Sequence, residues 1–253
     1  MENDFHCKLF FLIGLITGSF LNVVIYRLPR GESVVWGRSR CPACGQVLAW
    51  YDLVPVASYL VLRGKCRYCK EKISPRYLAV EILTGTIFIV IFWYFGMTPS
   101  LFKYLFLGAI LIAAAFIDLE HYIIPDQLLL VGLLGGVVLG QIAGDVGILS
   151  SLIGSVAAGG FLLAVAVASK GGMGMGDVKL AAVSGLYLGW PSMVLALFFA
   201  TVSGGIVAAL LLIFGVKGRK DAIPFGPFLA AGTLAAVLWG MPVIEWYKNF
   251  ILF

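Results

Sequence analysis

The chain has 253 residues, of which 61% are apolar, with a net charge of +5 and a mean hydropathy of +1.00. These values exclude an ordinary soluble domain. Continuous apolar runs of about 15 to 25 residues predict a helical protein that crosses a membrane several times. The runs do not alternate, which argues against a β-barrel. The basic residues cluster in short loops between the runs, where positive charge indicates membrane topology rather than nucleic-acid binding.

The start of the chain does not resemble a cleavable signal peptide. Glu2 and Asp4 precede the first apolar run, at the place where a signal peptide carries basic residues. The run 9–26 is followed by Arg27, Arg30 and further arginines. It is therefore predicted to be an anchor whose N-terminus lies outside the cytoplasm.

Eight apolar runs are predicted to be transmembrane helices. Their approximate bounds are 9–26, 77–95, 101–117, 127–142, 148–168, 178–189, 191–214 and 225–239. The sixth is short for a full crossing, which takes about 20 residues. If it did not cross, Lys217, Arg219 and Lys220 would lie outside. With eight spans, fifteen of the 18 lysines and arginines lie in or beside cytoplasmic loops, as the positive-inside rule requires. These loops are 27–76, 118–126, 169–178 and 215–224.

Segment 27–76 is the one large hydrophilic part of the chain, and it is too short for a sizeable core without a cross-link. It contains two Cys-x-x-Cys pairs separated by 21 residues, slightly more than the usual spacing of a four-cysteine zinc site. The four cysteines are Cys41, Cys44, Cys66 and Cys69. Each pair places two thiolates on one tight turn, and four thiolates complete a tetrahedron around zinc. The site is therefore predicted to be closed and structural.

Two other states of these cysteines remain open, namely two disulfides or reduced thiols without a metal. Disulfides are disfavoured on a cytoplasmic loop. The neighbouring Arg40, Lys65, Arg67 and Lys70 favour thiolate over thiol, and so favour metal binding. Cys7 lies apart from the four and is predicted to be a small apolar residue at the edge of the first span.

Among the acidic residues, Asp118 and Asp177 are the strongest candidates for a catalytic role. Each lies at an end of an apolar run, where an ionisable residue is costly and suggests a function. Four of the six residues in 171–176 are glycine, so the loop 170–179 can bend sharply and let another backbone approach Asp177. In the eight-span topology both acids lie on the cytoplasmic face.

Two carboxylates that meet near a membrane surface do not both ionise easily, so one keeps a proton and the pair becomes a combined base and acid. This is the chemistry of an aspartic protease. The ionised carboxylate takes a proton from water, which attacks a peptide carbonyl. The protonated one polarises that carbonyl and later supplies a proton to the leaving amine. Asp118 and Asp177 are predicted to form such a pair.

The other ionisable residues near these positions have simpler explanations. Asp126 lies at the start of the next predicted helix, where a carboxylate acts as a cap or meets the positive helix end. Glu120 is two residues from Asp118 and points elsewhere on a helix. His121 could tune the pair, but an exposed loop histidine is the more ordinary interpretation. Glu81, inside the second span, is left without a role.

The motifs resemble those of a known family. Gly174-Met-Gly-Asp177 resembles the Gly-x-Gly-Asp motif of intramembrane-type aspartic peptidases, and Asp118 with the following Ile124-Pro-Asp126 resembles their partner motif. Further segments look like the remaining signatures of bacterial type IV prepilin peptidases, in the expected order over nearly the whole chain. They are 18–29 (GSFLNVVIYRLP), the two Cys-x-x-Cys pairs, 73–77 (ISPRY) with Glu81, and 223–228 (IPFGPF).

The resemblance implies a bifunctional enzyme of the bacterial inner membrane whose active site faces the cytoplasm. It would cleave the basic leader from type IV prepilins or type II secretion pseudopilins, and would N-methylate the new terminal residue with S-adenosylmethionine. Asp118 and Asp177 occupy the family's catalytic positions, and Cys41, Cys44, Cys66 and Cys69 its zinc-associated positions. No glycine-rich Rossmann fingerprint is visible, so the residues that bind the methyl donor stay unassigned.

Taken together, the sequence predicts an all-α polytopic membrane protein with about eight transmembrane helices and a small cytoplasmic zinc-binding loop domain. Its parts are a first transmembrane helix (1–26), the four-cysteine domain associated with methyl transfer (27–76) and a transmembrane peptidase core (77–253). The expected partners are prepilins or pseudopilins and the lipid membrane, without nucleic acid. Three alternatives remain: a proton-coupled transporter that uses the two aspartates, a non-catalytic assembly factor, and a peptidase without methyltransferase activity.

Overall fold

The structure is a computed structural model that describes residues 2–169, 172–218 and 221–251, apart from the side chains of residues 2, 3 and 251. Four residues of predicted cytoplasmic loops, Lys170, Gly171, Arg219 and Lys220, lie outside the described residues, as does the side chain of Glu2. Nine α-helices make up most of the described part. They are α1 (Glu2–Arg27), α2 (Ala57–Val61), α3 (Pro75–Phe95), α4 (Pro99–His121), α5 (Asp126–Ala143), α6 (Ile148–Ala168), α7 (Met175–Leu188), α8 (Trp190–Ile213) and α9 (Gly226–Ile251).

Seven of these helices are long and apolar enough to cross a membrane, namely α1, α3, α4, α5, α6, α8 and α9. They match seven of the eight predicted spans, and the prediction of an all-α polytopic membrane protein is confirmed. The predicted sixth span corresponds to α7, which has 14 residues. At 1.5 Å per residue α7 is about 21 Å long, shorter than the hydrocarbon core of about 30 Å.

The chain packs as two compact units, Met1–Met97 and Thr98–Phe253. In the first unit α1 lies along α3, and glycines bring the two backbones together. A Cβ at Gly14 would lie 2.6 Å from the Cα of Gly85, and a Cβ at Gly18 would lie 2.7 Å from the Cα of Glu81. Gly14 and Gly18 are four residues apart on α1, the spacing at which small residues let membrane helices approach closely.

The loop 28–74 connects α1 to α3 and is held by charged side chains. Arg27, at the end of α1, anchors its first part. The guanidinium group donates at 3.0–3.1 Å to three loop carbonyl oxygens, those of Ser33, Trp36 and Arg38. Further along the loop, the buried carboxylate of Asp52 pairs with the Nε of Arg67 at 2.7 Å. These contacts order a segment that is too short to form a hydrophobic core of its own.

In the second unit α4 is the most enclosed of the candidate spans. The short α7 contacts α4, α5, α6, α8 and α9. It meets α6 backbone to backbone, because a Cβ at Gly185 would lie 2.5 Å from the carbonyl carbon of Gly154. Against α5, the Tyr187 hydroxyl donates to the carbonyl oxygen of Gly132 at 2.7 Å. The helix that carries Asp177 is thus surrounded by other helices, which explains how so short a segment is stabilised.

Candidate active site and metal cluster

Asp118 lies in the last turn of α4 and is 5% exposed. The helix ends three residues later, where Tyr122 takes a left-handed conformation (φ 56°) and its N–H donates to the Asp118 carbonyl oxygen at 2.9 Å. The side chain of Asp118 accepts a hydrogen bond as well, at Oδ2, from the N–H of Gly226 at 2.8 Å. Asp118 is therefore held at a helix end by a backbone donor from a distant part of the chain.

Gly226 is the first residue of α9, and no larger residue fits there without a shift. A Cβ at this position would lie 2.7 Å from Oδ2 of Asp118. The N–H that contacts Asp118 belongs to the first turn of α9, whose free N–H groups favour negative charge. The sequence singled out 223–228 only as one of the signatures of the resembled family, which does not indicate that this segment contacts Asp118.

Asp177 lies in the first turn of α7 and is 7% exposed. Its backbone N–H donates to the Gly174 carbonyl oxygen at 3.2 Å. Gly176 is packed on the segment between α4 and α5, since a Cβ there would lie 2.9 Å from the Cβ of Ile124. The Oδ1 of Asp177 is buried and accepts no hydrogen bond from any residue that the structure describes. The acid is thus buried with an unused acceptor.

Asp118 and Asp177 lie on neighbouring helices. Helices α4, α7 and α9 pack against one another, and the Asp177 carboxyl group interacts electrostatically with that of Asp118. Two buried carboxylates in such a pair can share one proton and act as base and acid. One oxygen is fixed by Gly226 and another is unpartnered, so the pair combines fixed geometry with a free position for a reactant.

The remaining candidates of this region lie near the pair but differ from it in burial. Asp126 forms an ion pair with Lys179 at 2.7 Å, and the two side chains are 74% and 47% exposed. The sequence suggested a cap or a helix-end acid for Asp126; the ion pair was not expected. Glu120 is exposed. His121 is partly buried in the last turn of α4 rather than exposed in a loop, and its Nε2 has no hydrogen-bond partner among the described residues.

The four cysteines of the two Cys-x-x-Cys pairs form one cluster. The sulfur atoms of Cys41, Cys44, Cys66 and Cys69 all lie within 4.8 Å of one another, and those of Cys41 and Cys69 are 3.9 Å apart. All four are free thiols. Four sulfur atoms about 2.3 Å from a central zinc ion are spaced by about 3.8 Å in a tetrahedron. The cluster could therefore hold a metal ion, and its spacing fits zinc.

The two cysteine turns have the same backbone design. In each, the first cysteine's N–H donates to the carbonyl oxygen five residues later, and its carbonyl accepts the N–H four residues later. The residue after the second cysteine has a positive φ in both turns, +71° at Gly45 and +62° at Lys70. The N–H of Cys69 donates to the Cys66 sulfur and is the largest cause that lowers the Cys66 pKa to about 7. Such a thiol is readily deprotonated for metal binding.

Two family models match the chain. The family model of the bacterial peptidase A24 N-terminal domain matches residues 12–95, and that of the type IV leader peptidase family matches residues 105–209. No solved structure gives a significant match.

Several curated proteins named prepilin leader peptidase/N-methyltransferase are similar to the chain. One from Aeromonas salmonicida (strain A449) is 34% identical over 97% of this chain and 94% of its own length. One from Legionella pneumophila is 36% identical over 94% and 93%. A third, from Myxococcus xanthus, is 42% identical over 80% of this chain and 62% of its own length. The chain belongs to the type IV leader peptidase family.

Proposed function

We propose that this protein removes the leader peptide of type IV prepilins or type II secretion pseudopilins and then N-methylates the new terminal residue. The observation that carries the peptidase part is the buried pair of Asp118 and Asp177, enclosed by α4, α7 and α9. The relatives' shared name supports both activities. Both acids lie at helix ends, whereas a proton-coupled transporter would be expected to place them near the middle of the membrane.

In the proposed cleavage, the two carboxylates share the work of base and acid. One takes a proton from water as the water oxygen attacks the scissile carbonyl, and the other protonates the carbonyl oxygen. The N–H of Gly226 keeps Asp118 in position. The unpartnered Oδ1 of Asp177 offers a lone pair to the water or the substrate. As the tetrahedral intermediate collapses, the carbon–nitrogen bond breaks and the leaving amine receives a proton from the pair.

The proposed orientation follows from charge. With the N-terminus outside, the loop 28–74 and the ends of α4 and α7 that carry the aspartates face the cytoplasm. A leader with Lys or Arg residues would be drawn to acidic groups on that side. Its apolar stem would lie along the membrane helices, with the scissile bond near the bilayer surface.

The proposed cofactors are zinc and S-adenosylmethionine. Zinc would be held by Cys41, Cys44, Cys66 and Cys69, and would order the loop 28–74 without taking part in the chemistry, because four protein ligands leave no open position. S-adenosylmethionine supplies a methyl group when bound. Metal analysis of the purified protein should find about one zinc per chain. Chelation should then loosen the loop, and a loop unchanged by chelation would contradict a structural role.

The decisive experiment incubates detergent-solubilised protein with a prepilin and methyl-labelled S-adenosylmethionine. Asp118→Asn and Asp177→Asn should each reduce cleavage by roughly 100-fold or more, because each removes one partner of an acid–base pair. Asp126→Asn is the matched control, an exposed acid of the same region, and should cleave like the wild type. Full cleavage by either dyad variant would refute the site. Cleavage without label transfer would leave a peptidase alone.

A further inference from the structure

Glu81 of α3 is a buried acid outside the aspartate pair. It is 8% exposed, and its Oε2 accepts the backbone N–H of Val56 at 2.7 Å. The side chain of Ser19, on α1, forms a second hydrogen bond with the carboxyl group. These two partners are neutral. A carboxylate can accept about four hydrogen bonds, so acceptor capacity remains.

Near the Glu81 carboxylate, the side-chain amide oxygen of Asn22 is a further acceptor that is not used. The Nδ2 of Asn22 donates to the carbonyl oxygen of Tyr77 at 3.0 Å, and Tyr77 lies one helical turn before Glu81 on α3. On α1, Asn22 lies one turn after Gly18, the residue packed on the Cα of Glu81. Asn22 is 3% exposed, yet its Oδ1 accepts no hydrogen bond within the described ranges. The facing turns of α1 and α3 thus carry a carboxylate, a hydroxyl and a free amide oxygen.

Among the residues that the structure describes, no positively charged side chain donates a hydrogen bond to this cluster. Buried charges in proteins are normally paired, and buried polar atoms are normally hydrogen-bonded. A carboxylate with neutral partners beside an orphan amide oxygen therefore fits a ligand that brings positive charge and several N–H groups. An ammonium group has three donors and a single positive charge, which matches the set.

The backbone that Glu81 holds is strained. Val56 has φ 61° and ψ −51°, and the N–H of Ala57 donates to the Pro55 carbonyl oxygen at 2.5 Å, which closes a γ-turn around Val56. A positive φ at a β-branched residue is a genuine outlier, and γ-turns of this hand are rare. Such strain persists only where the surroundings impose it. Here the Glu81 carboxylate fixes a loop turn next to the unused acceptors.

We propose that Glu81, Asn22 and Ser19 bind the free α-ammonium group of the cleaved substrate, and so form the methyl-acceptor site. The proposal rests on the N-methyl transfer proposed above. Glu81 accepts a proton from the ammonium, which frees the nitrogen lone pair. The lone pair forms the new nitrogen–carbon bond while the carbon–sulfur bond of the sulfonium donor breaks and its electron pair stays on sulfur. The product is a secondary ammonium as soon as the nitrogen–carbon bond forms. The proton held by Glu81 passes to solvent, and the restored carboxylate pairs with the methylated ammonium until the product leaves.

The position of the cluster suits an amine at the head of an apolar segment. Glu81 is six residues after Pro75, the first residue of α3, or about 9 Å along the helix. An apolar N-terminal segment can lie in the bilayer and present its terminal ammonium at this depth. A lysine side chain carries the same chemistry, so the experiment has to separate the two sources of an ammonium group.

Methyl transfer to a precleaved pilin tests the catalytic part. Glu81→Gln keeps an oxygen that can accept the Val56 N–H but removes the charge. It should reduce label transfer by roughly 100-fold or more, while leader cleavage stays within about twofold of the wild type. Glu32→Gln, in an exposed part of the loop, is the matched control and should retain both activities. Normal label transfer by Glu81→Gln would overturn the proposal.

Binding of a short apolar peptide tests the site without turnover. We expect a peptide that begins with a free phenylalanine amine to bind the wild-type protein at least about tenfold more tightly than its N-acetylated form, and Glu81→Gln to abolish this difference. An N-acetylated peptide with an internal lysine should bind as weakly as the acetylated one. Equal binding of the free and acetylated peptides, or tight binding of the lysine peptide, would refute a site for the α-ammonium.

The two assays also separate this inference from the proposed function. A wild-type protein that transfers no label would refute the methyltransferase function, whereas the peptide comparison would still decide whether the cluster binds an ammonium group. If Glu81→Gln fails to fold, as judged by thermal unfolding, the free and acetylated peptides on wild-type protein still give the answer.

Discussion

The two ends of α7 bury polar groups in opposite ways. At its C-terminal end, the fully buried Lys103 of α4 donates to Asp145 Oδ1 at 2.5 Å and to the Tyr187 carbonyl oxygen at 3.1 Å. At its N-terminal end Asp177 is buried too, but its Oδ1 has no partner in the described chain, and its carboxyl group interacts electrostatically with a second acid, Asp118. Because α4 supplies a residue to each end, α4 and α7 run antiparallel.

The difference separates a buried charge that holds the structure from one for which we propose a chemical role. Lys103 meets an opposite charge on Asp145 and the Tyr187 carbonyl oxygen near the C-terminus of α7, where a cation is favourable. Asp177 meets a like charge and leaves an acceptor unused, which costs stability unless a reactant completes the site. The C-terminal end of α7, where the polar groups are paired, fixes the position of α7 against α4. The N-terminal end, where Asp177 has an unused acceptor, is where we expect the reaction.

The largest expected effect is at the N-terminal end of α7. Asp177→Asn should reduce the cleavage rate by roughly 1,000-fold, because the amide cannot act as base or acid. It should also leave the melting temperature unchanged or higher, since it removes a buried charge that faces another acid. Cleavage assays and thermal unfolding of the same preparation measure both. A marked loss of stability would instead show that the Asp177 charge holds the fold.

Lys103→Met should have the next largest effect. In contrast to Asp177→Asn, it should reduce stability markedly and the cleavage rate only moderately. Methionine fills a similar volume but loses the contacts to Asp145 and the Tyr187 carbonyl. The free energy of unfolding should fall by about 1–3 kcal/mol, less than for a fully buried pair because the Asp145 side chain is 26% exposed. A small displacement of α7 should lower kcat roughly tenfold, with little change in KM.

The double variant Lys103→Met/Asp145→Asn checks this explanation. If the two residues act as a pair, the double variant should lose less than the sum of the single losses, with a coupling of about 0.5–3 kcal/mol. Lys8→Met, at an exposed lysine of α1, is the matched control and should change stability by less than about 0.5 kcal/mol. Strictly additive losses would mean that Lys103 acts through the Tyr187 carbonyl alone.

The contrast between the two ends also marks what the sequence could predict. The apolar runs predicted eight spans, and seven of them are long helices in the described part of the chain, because that signal is local. The predicted topology places Lys103 at the outer end of the third span and indicates no partner for it. Its partners Asp145 and Tyr187 are 42 and 84 residues away in the chain, and pairing at that distance depends on how α4 packs against α7.

The contact between Gly226 and Asp118 was missed for the same reason. The two residues are 108 positions apart. Segment 223–228 was identified only as a family-like signature, and its proline-glycine pattern does not say which side chain the free N–H groups will meet. The sequence predicted that α7 would be short, but it did not predict how α7 is packed. The apolar run was visibly short, whereas its enclosure by five other helices follows from packing that no local pattern encodes.

Tyr187→Phe should have a smaller effect that separates packing from charge. The variant removes the hydroxyl that donates to Gly132 but keeps the carbonyl that Lys103 contacts. It should cost about 0.5–1.5 kcal/mol of stability, and cleavage should stay within about twofold. Tyr247→Phe, at an exposed tyrosine of α9, is the control for the loss of a hydroxyl. A kcat as low as that of Lys103→Met would show that the hydroxyl, rather than the ion pair, positions α7.

The smallest expected effect belongs to the exposed ion pair beside the N-terminal end of α7. Lys179 and Asp126 lie close in sequence to Asp177 and Asp118, but water screens them, and such pairs contribute about 0–1 kcal/mol. Asp126→Asn and Lys179→Gln should each leave cleavage within about twofold of the wild type and stability nearly unchanged. If Asp126→Asn abolished cleavage while Lys179→Gln did not, Asp126 would replace Asp118 as the partner of Asp177. Burial would then be the wrong criterion for telling the reactive acid from its neighbour.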